Sequence, residues 1–156
     1  MVRLSPMGDA GLQAFLTKAV LAFAEDKVNA GNWSPEEAHE KSRDSFEKLL
    51  PAGVNSPGQY LFDIVDTEQA LTVGMLWFGV IEDTAHPFAF IYELQVLDEY
   101  QRRGYGKQAM LALEGEVRKL GLNTISLHVF GHNRAAQALY DQLGYEVTNI
   151  NMSKHV

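Results

Sequence analysis

The apolar positions of this chain change period several times, and each change marks an element. Leu12, Phe15, Leu16, Ala19 and Phe23 recur at steps of three and four, which places them on one face of a helix. Asp9 is its expected N-cap, and Asn29-Ala30-Gly31 its end. Residues 2–4 in front of it read as a short strand. Ser34-Pro35-Glu36-Glu37 opens a second helix: Ser34 caps, Pro35 fits the first helical position, and Glu37 completes a capping box. That helix runs to about Leu50 and is mostly polar, so it belongs on the surface. After a loop over residues 51–58, the period drops to two. Residues 59–65 and 70–81 form a strand pair around Asp66-Thr67-Glu68-Gln69.

Residues 88–97 are apolar almost throughout, interrupted only by Glu93 and Gln95, as in a strand covered on both faces. Helical spacing returns with Met110, Leu113, Val117 and Leu120, and Gly121 is placed to end that helix. A strand over 124–130, a helix over 133–143 closed by Gly144, and a last strand over 145–152 complete the pattern. The order β-α-α-β-β-β-α-β-α-β, without repeat or linker, predicts one α/β domain over residues 1–156 with a mixed central sheet.

Composition narrows the possibilities. A chain of 156 residues, 46% hydrophobic and 21% charged, suits one soluble domain with one core. No apolar run approaches the ~20 residues that span a bilayer, and the first residues lack a signal peptide's apolar stretch. No membrane partner is expected, and the cytoplasm is the expected location. With no cysteine, disulfides, thiolate metal sites and a cysteine nucleophile are excluded. The five histidines show no metal-ligand spacing, so no metal is expected. A net charge of −7 argues against nucleic acid as a partner. If the chain assembles, a two-fold homodimer is the commonest arrangement.

Against that acidic background, Gln101-Arg102-Arg103-Gly104-Tyr105-Gly106-Lys107 stands between a strand and a helix. N–H groups at a helix N-terminus lack partners within the helix, and the helix dipole favours an anion there. Glycines let the backbone turn tightly and approach a bulky phosphate, and two arginines and a lysine add charge. A pyrophosphate suits the site, although glycine and arginine also meet in ordinary turns. A second segment, Asn133 to Tyr145, also follows a strand. Asn133 and Tyr140 share a helix face roughly 10 Å apart along the axis, within reach of one extended ligand arm. Taken singly, Asn133 also suits a plain N-cap and Tyr140 a core aromatic.

Together the two segments resemble the GNAT superfamily of N-acetyltransferases, with the likeness carried by residues 88–145. Gln101, Gly104 and Gly106 match that family's Gln/Arg-x-x-Gly-x-Gly/Ala signature. The resemblance implies that acetyl-CoA is the cosubstrate and that the strand before the turn splays from the next one. It implies that the amides of Arg102, Arg103, Gly104, Tyr105, Gly106 and Lys107 hold the CoA pyrophosphate. Backbone groups of Leu94, Gln95 and Val96 would pair with the pantetheine arm and the acetyl carbonyl. Asn133 would touch pantetheine, and Tyr140 would act as general acid at the sulfur.

The reaction so implied is acetyl transfer to a primary amine of a small molecule or peptide. Tyr140, protonated at neutral pH, suits proton donation to the thiolate. Glu93, an acid inside an apolar strand, is the candidate base because burial raises a carboxyl's pKa. His128 and water are the alternatives. Trp33 either lines the acceptor pocket or staples the second helix. Glu25, Asp26, Glu36, Glu37 and Glu40 either favour a cationic substrate or form a solvated face. Two rival functions remain: an acyl-CoA-binding or sensing module without transfer, and a nucleotide-phosphate binder. The turn lacks the Gly-Lys-Ser/Thr ending of a P-loop, which weighs against the second.

Overall fold

A computed structural model describes residues 1–156. The chain divides into two compact units, residues 1–126 and 127–156. The first unit starts with β1 (Val2–Pro6), followed by the helices α1 (Asp9–Asn29) and α2 (Pro35–Leu49). β2 (Gln59–Asp66), β3 (Leu71–Ile81) and β4 (Phe88–Val96) come next, then α3 (Tyr105–Lys119). β5 (Ile125–Leu127) lies at the boundary of the units, and the second unit carries α4 (Arg134–Gln142). The sheet has five strands in the order β1-β2-β3-β4-β5, and β1 to β4 run antiparallel to their neighbours.

The two faces of β3 explain the packing. Met75 and Trp77 point to one face and, with Leu61 of β2, meet Leu12, Phe15 and Leu16 of α1 and Phe46 of α2. Phe62, Leu76 and Phe78 alternate to the other face and are also buried. α3 packs against β1 and β4, burying Ala109, Met110, Leu113 and Val117. The apolar face expected for α1 is thus the one that meets the sheet. α2 turns Ala38 and Ser42 inward, and the Ser42 hydroxyl donates to the Val20 carbonyl at 2.7 Å.

Local chemistry explains several element ends. The Glu37 carboxylate accepts from the Ser34 N–H at 3.2 Å, the capping-box contact anticipated at the start of α2. Gly8, not Asp9, is the N-cap of α1; Asp9 is the first helical residue, where its charge favours the helix N-terminus. Asp66 holds the β2–β3 turn by accepting from the Glu68 and Gln69 N–H groups at 2.8 and 3.1 Å.

The C-terminal expectations need correction. The strand anticipated over 124–130 is confined to Ile125–Leu127, and the one over 145–152 does not form. Val147, Ile150 and Met152 are exposed. Alternation gives a segment the propensity to be a strand, but a strand exists only where another supplies ladder partners. Residues 145–152 enter no ladder.

Candidate active site

The site begins with an irregularity in β4. Its ladder with β3 pairs Trp77 with Glu93 but Phe78 with Ile91, so Tyr92 is an extra residue, a β-bulge. In a regular strand, adjacent side chains point to opposite faces. Here Tyr92 and Glu93 both line one cavity of about 290 Å³, together with Phe23, Asp26, Phe46 and Trp77. The rings make a continuous wall. Trp77 lies 4.8 Å from Tyr92 and 6.1 Å from Phe46, and Phe46 lies 5.9 Å from Phe23 between ring centroids. Trp77 is fixed by its indole N–H, which donates to the Gln59 side-chain oxygen at 2.8 Å. Glu93 is half-buried, and burial pushes its carboxyl above the ordinary carboxylate range.

Trp33 does not line this cavity. Its ring stands edge-on to Phe23 at 5.5 Å, and the Lys27 ammonium lies 5.5 and 5.7 Å from the two ring centroids. It buttresses a wall residue instead. A wider depression of about 580 Å³ borders Met1, Glu68 and Leu111, but no expected site residue lines it.

β4 continues from Glu93 into Leu94, Gln95 and Val96, whose β3 partners are Leu76, Met75 and Gly74. Gly74 is required by this pairing: a Cβ there would lie 2.1 Å from the Gln95 carbonyl oxygen. β5 approaches the opposite end of β4, where the Ala89 N–H donates to the Thr124 carbonyl at 3.0 Å.

The glycine turn leads from β4 into α3. Gly104 is the N-cap, with φ +83°, a left-handed conformation natural to glycine. Arg102 is also left-handed, at φ +62°. Gly106, by contrast, is an ordinary helical residue, so only Gly104 serves the bend. No side chain caps α3, and the first helical bond runs from the Gln108 N–H to the Gly104 carbonyl at 3.1 Å. The amides of Tyr105, Gly106 and Lys107 therefore have no helical acceptor. Arg102 and Lys107 are exposed and enter no ion pair. Arg103 is used locally: its guanidinium donates to the Glu99 carbonyl at 3.0 Å and lies 5.7 Å from the centre of the Tyr100 ring. Uncapped amides, a left-handed N-cap and available cations fit a pyrophosphate.

Two residues of the turn have structural side-chain duties. The Gln101 amide donates to the Val96 carbonyl at 3.0 Å and to an Asp98 carboxylate oxygen at 3.1 Å, tying the turn to the end of β4. The Tyr105 side chain is buried, and its hydroxyl donates to Asp66 at 2.5 Å. That bond, first among several causes, holds the Asp66 carboxyl below its ordinary range and raises the tyrosine. Only the backbone of Tyr105 is available to a ligand.

In the second unit, Asn133 is the N-cap of α4, its side-chain oxygen accepting from the Ala136 N–H at 3.2 Å. Tyr140 is half-buried and its ring lies 5.7 Å from that of Tyr145. His128 lies just past β5, exposed, with its ring edge-on to Phe130 at 4.9 Å. The cavity residues Phe23, Phe46 and Tyr92 went unremarked as site residues in the sequence. Phe23 has the spacing of a core position, and no glycine or proline marks the bulge at Tyr92.

Comparison with known proteins gives the chain's family. Residues 21–145 match the family model described as acetyltransferase (GNAT) family. The uncharacterized N-acetyltransferase YycN of Bacillus subtilis is 38% identical over 153 residues, 98% of this chain and 97% of that protein. The uncharacterized N-acetyltransferase YdgE of the same organism is 34% identical, again over 98% of this chain and 97% of the relative. The crystal structure of YycN superposes with a TM-score of 0.87 at 37% identity, covering 100% of this chain and 99% of that one. This chain belongs to the GNAT family of acetyltransferases, which are acyltransferases built on a mixed α/β sheet.

Proposed function

We propose that the protein moves an acetyl group from acetyl-CoA to a primary amine of a small molecule or peptide, as one enzyme domain spanning residues 1–156. Glu93 carries this reading. It is a half-buried carboxyl on the wall of an aromatic cavity, one residue before the strand positions suited to the acyl arm. A module that binds CoA alone has no use for such an acid. A cytoplasmic setting, where acetyl-CoA is made and consumed, suits the reaction.

Acetyl-CoA supplies the reactive thioester. The amides of Arg102 to Lys107 hold its pyrophosphate, Leu94 to Val96 offer backbone groups to the arm, and Asn133 offers its amide. Glu93 accepts a proton from the ammonium form of the substrate, directly or through water, leaving a neutral amine. Its raised pKa brings it closer to the working pH than an exposed glutamate. The amine nitrogen bonds to the acetyl carbon and loses its second proton to water, the carbon–sulfur bond breaks, and the Tyr140 hydroxyl gives its proton to the departing thiolate. Solvent restores the tyrosine.

The test is thiol release from acetyl-CoA in the presence of an amine panel, alongside calorimetry with CoA. Amine-dependent release is expected. CoA binding without release for any amine would favour the binding module.

A further inference from the structure

We infer that the acceptor is a small primary amine carrying an aromatic or branched aliphatic body, which the cavity between α1, α2 and the β4 bulge selects. The inference rests on the transfer reading above. Three observations point to this chemistry. The cavity, about 290 Å³, is of a size to enclose a small molecule. Its walls are the rings of Phe23, Phe46, Trp77 and Tyr92, which favour an apolar body by area burial and ring packing. Its only charged lining groups are the carboxylates of Asp26 and Glu93. A ligand with apolar body and cationic head satisfies all three. A polyamine would leave several ammonium groups among rings, and a polyol would lose hydrogen bonds to water without replacement.

The two acids differ in setting and in role. Asp26 is exposed on α1 and attracts the ammonium form on approach. Glu93 is half-buried and adjoins the strand run expected to present the thioester, so a head group at Glu93 is placed for attack. Ala22, exposed on α1, lines the same cavity, so its side chain can be enlarged without disturbing the core.

The test uses the full chain with 2-phenylethylamine, ethanolamine and spermidine, read both by thiol release and by calorimetric binding. 2-Phenylethylamine is expected to exceed ethanolamine in kcat/KM by on the order of 10²-fold. Ala22→Phe, which fills the cavity, should lower kcat/KM for 2-phenylethylamine by about 10-fold or more while ethanolamine changes little. Asp26→Asn should raise KM for the aryl amine by about 2- to 5-fold with kcat kept. Unchanged acetyl-CoA affinity shows that each variant is folded. Turnover of all three amines without preference, or an equal loss for all of them in Ala22→Phe, would overturn the cavity assignment and leave transfer standing. Binding of 2-phenylethylamine that Ala22→Phe abolishes, without thiol release from any amine, would support the cavity and overturn transfer. No binding and no release would overturn both.

Discussion

Glu93 sits where charge is disfavoured, and this has separate consequences for stability and for rate. Burial raises its pKa in the folded state above that of the unfolded chain. The native state thus holds the proton more tightly. The resulting penalty is absent below the usual carboxylate range and grows as pH rises through the window between the unfolded and folded values. Glu93→Gln should therefore raise Tm at neutral pH and leave it unchanged in acid, as thermal melts across pH will show. The same substitution should lower turnover at neutral pH while keeping acetyl-CoA affinity, with the loss shrinking at high pH, where the amine is already neutral. A pH–rate profile like that of the wild type would pass the role to water or to His128. Tyr140→Phe keeps the ring and removes the donor. Turnover should fall about 10²-fold with cofactor affinity little changed, which steady-state rates and calorimetry on one preparation will measure.

At the scale of elements, the turn between β4 and α3 depends on one glycine conformation. A side chain at Gly104 must adopt φ +83°, at a cost of about 1–2 kcal/mol, and would crowd a phosphate approaching the helix N-terminus. Gly104→Val should weaken CoA binding measured by calorimetry, whereas Gly106→Ala should be tolerated because residue 106 is helical. This turn was legible in the sequence because its chemistry is local: glycine, cations and the change of period all fall within seven residues. The capping box of α2 and the apolar face of α1 were legible for the same reason. The bulge at Tyr92 was not. It is a relation between two strands, visible only when Trp77 and Phe78 are set against their partners. Residues 145–152 failed in the opposite sense, since their alternation is genuine but no partner strand completes a ladder.

At the scale of the molecule, the turn and the β2–β3 hairpin are joined through the core of the first unit. The Tyr105 hydroxyl on Asp66 fastens the start of α3 to the hairpin, far from it in sequence. Because Asp66 is held below its ordinary carboxylate range, it contributes stability that is present above the unfolded value. That stability is lost as pH falls through the lower folded value. Tyr105→Phe removes the largest cause, so Tm should drop at neutral pH and depend less on acid. No helix is long and apolar enough to cross a membrane, and the family match extends across both units. Acetyl transfer to an aromatic amine stands or falls on one measurement: thiol release from acetyl-CoA by the wild-type chain, with and without 2-phenylethylamine, and mass spectrometry of the amine. It predicts release that requires the amine and yields its N-acetyl derivative in equal amount. Release that ignores the amine, or an unmodified amine beside tightly bound CoA, would contradict it.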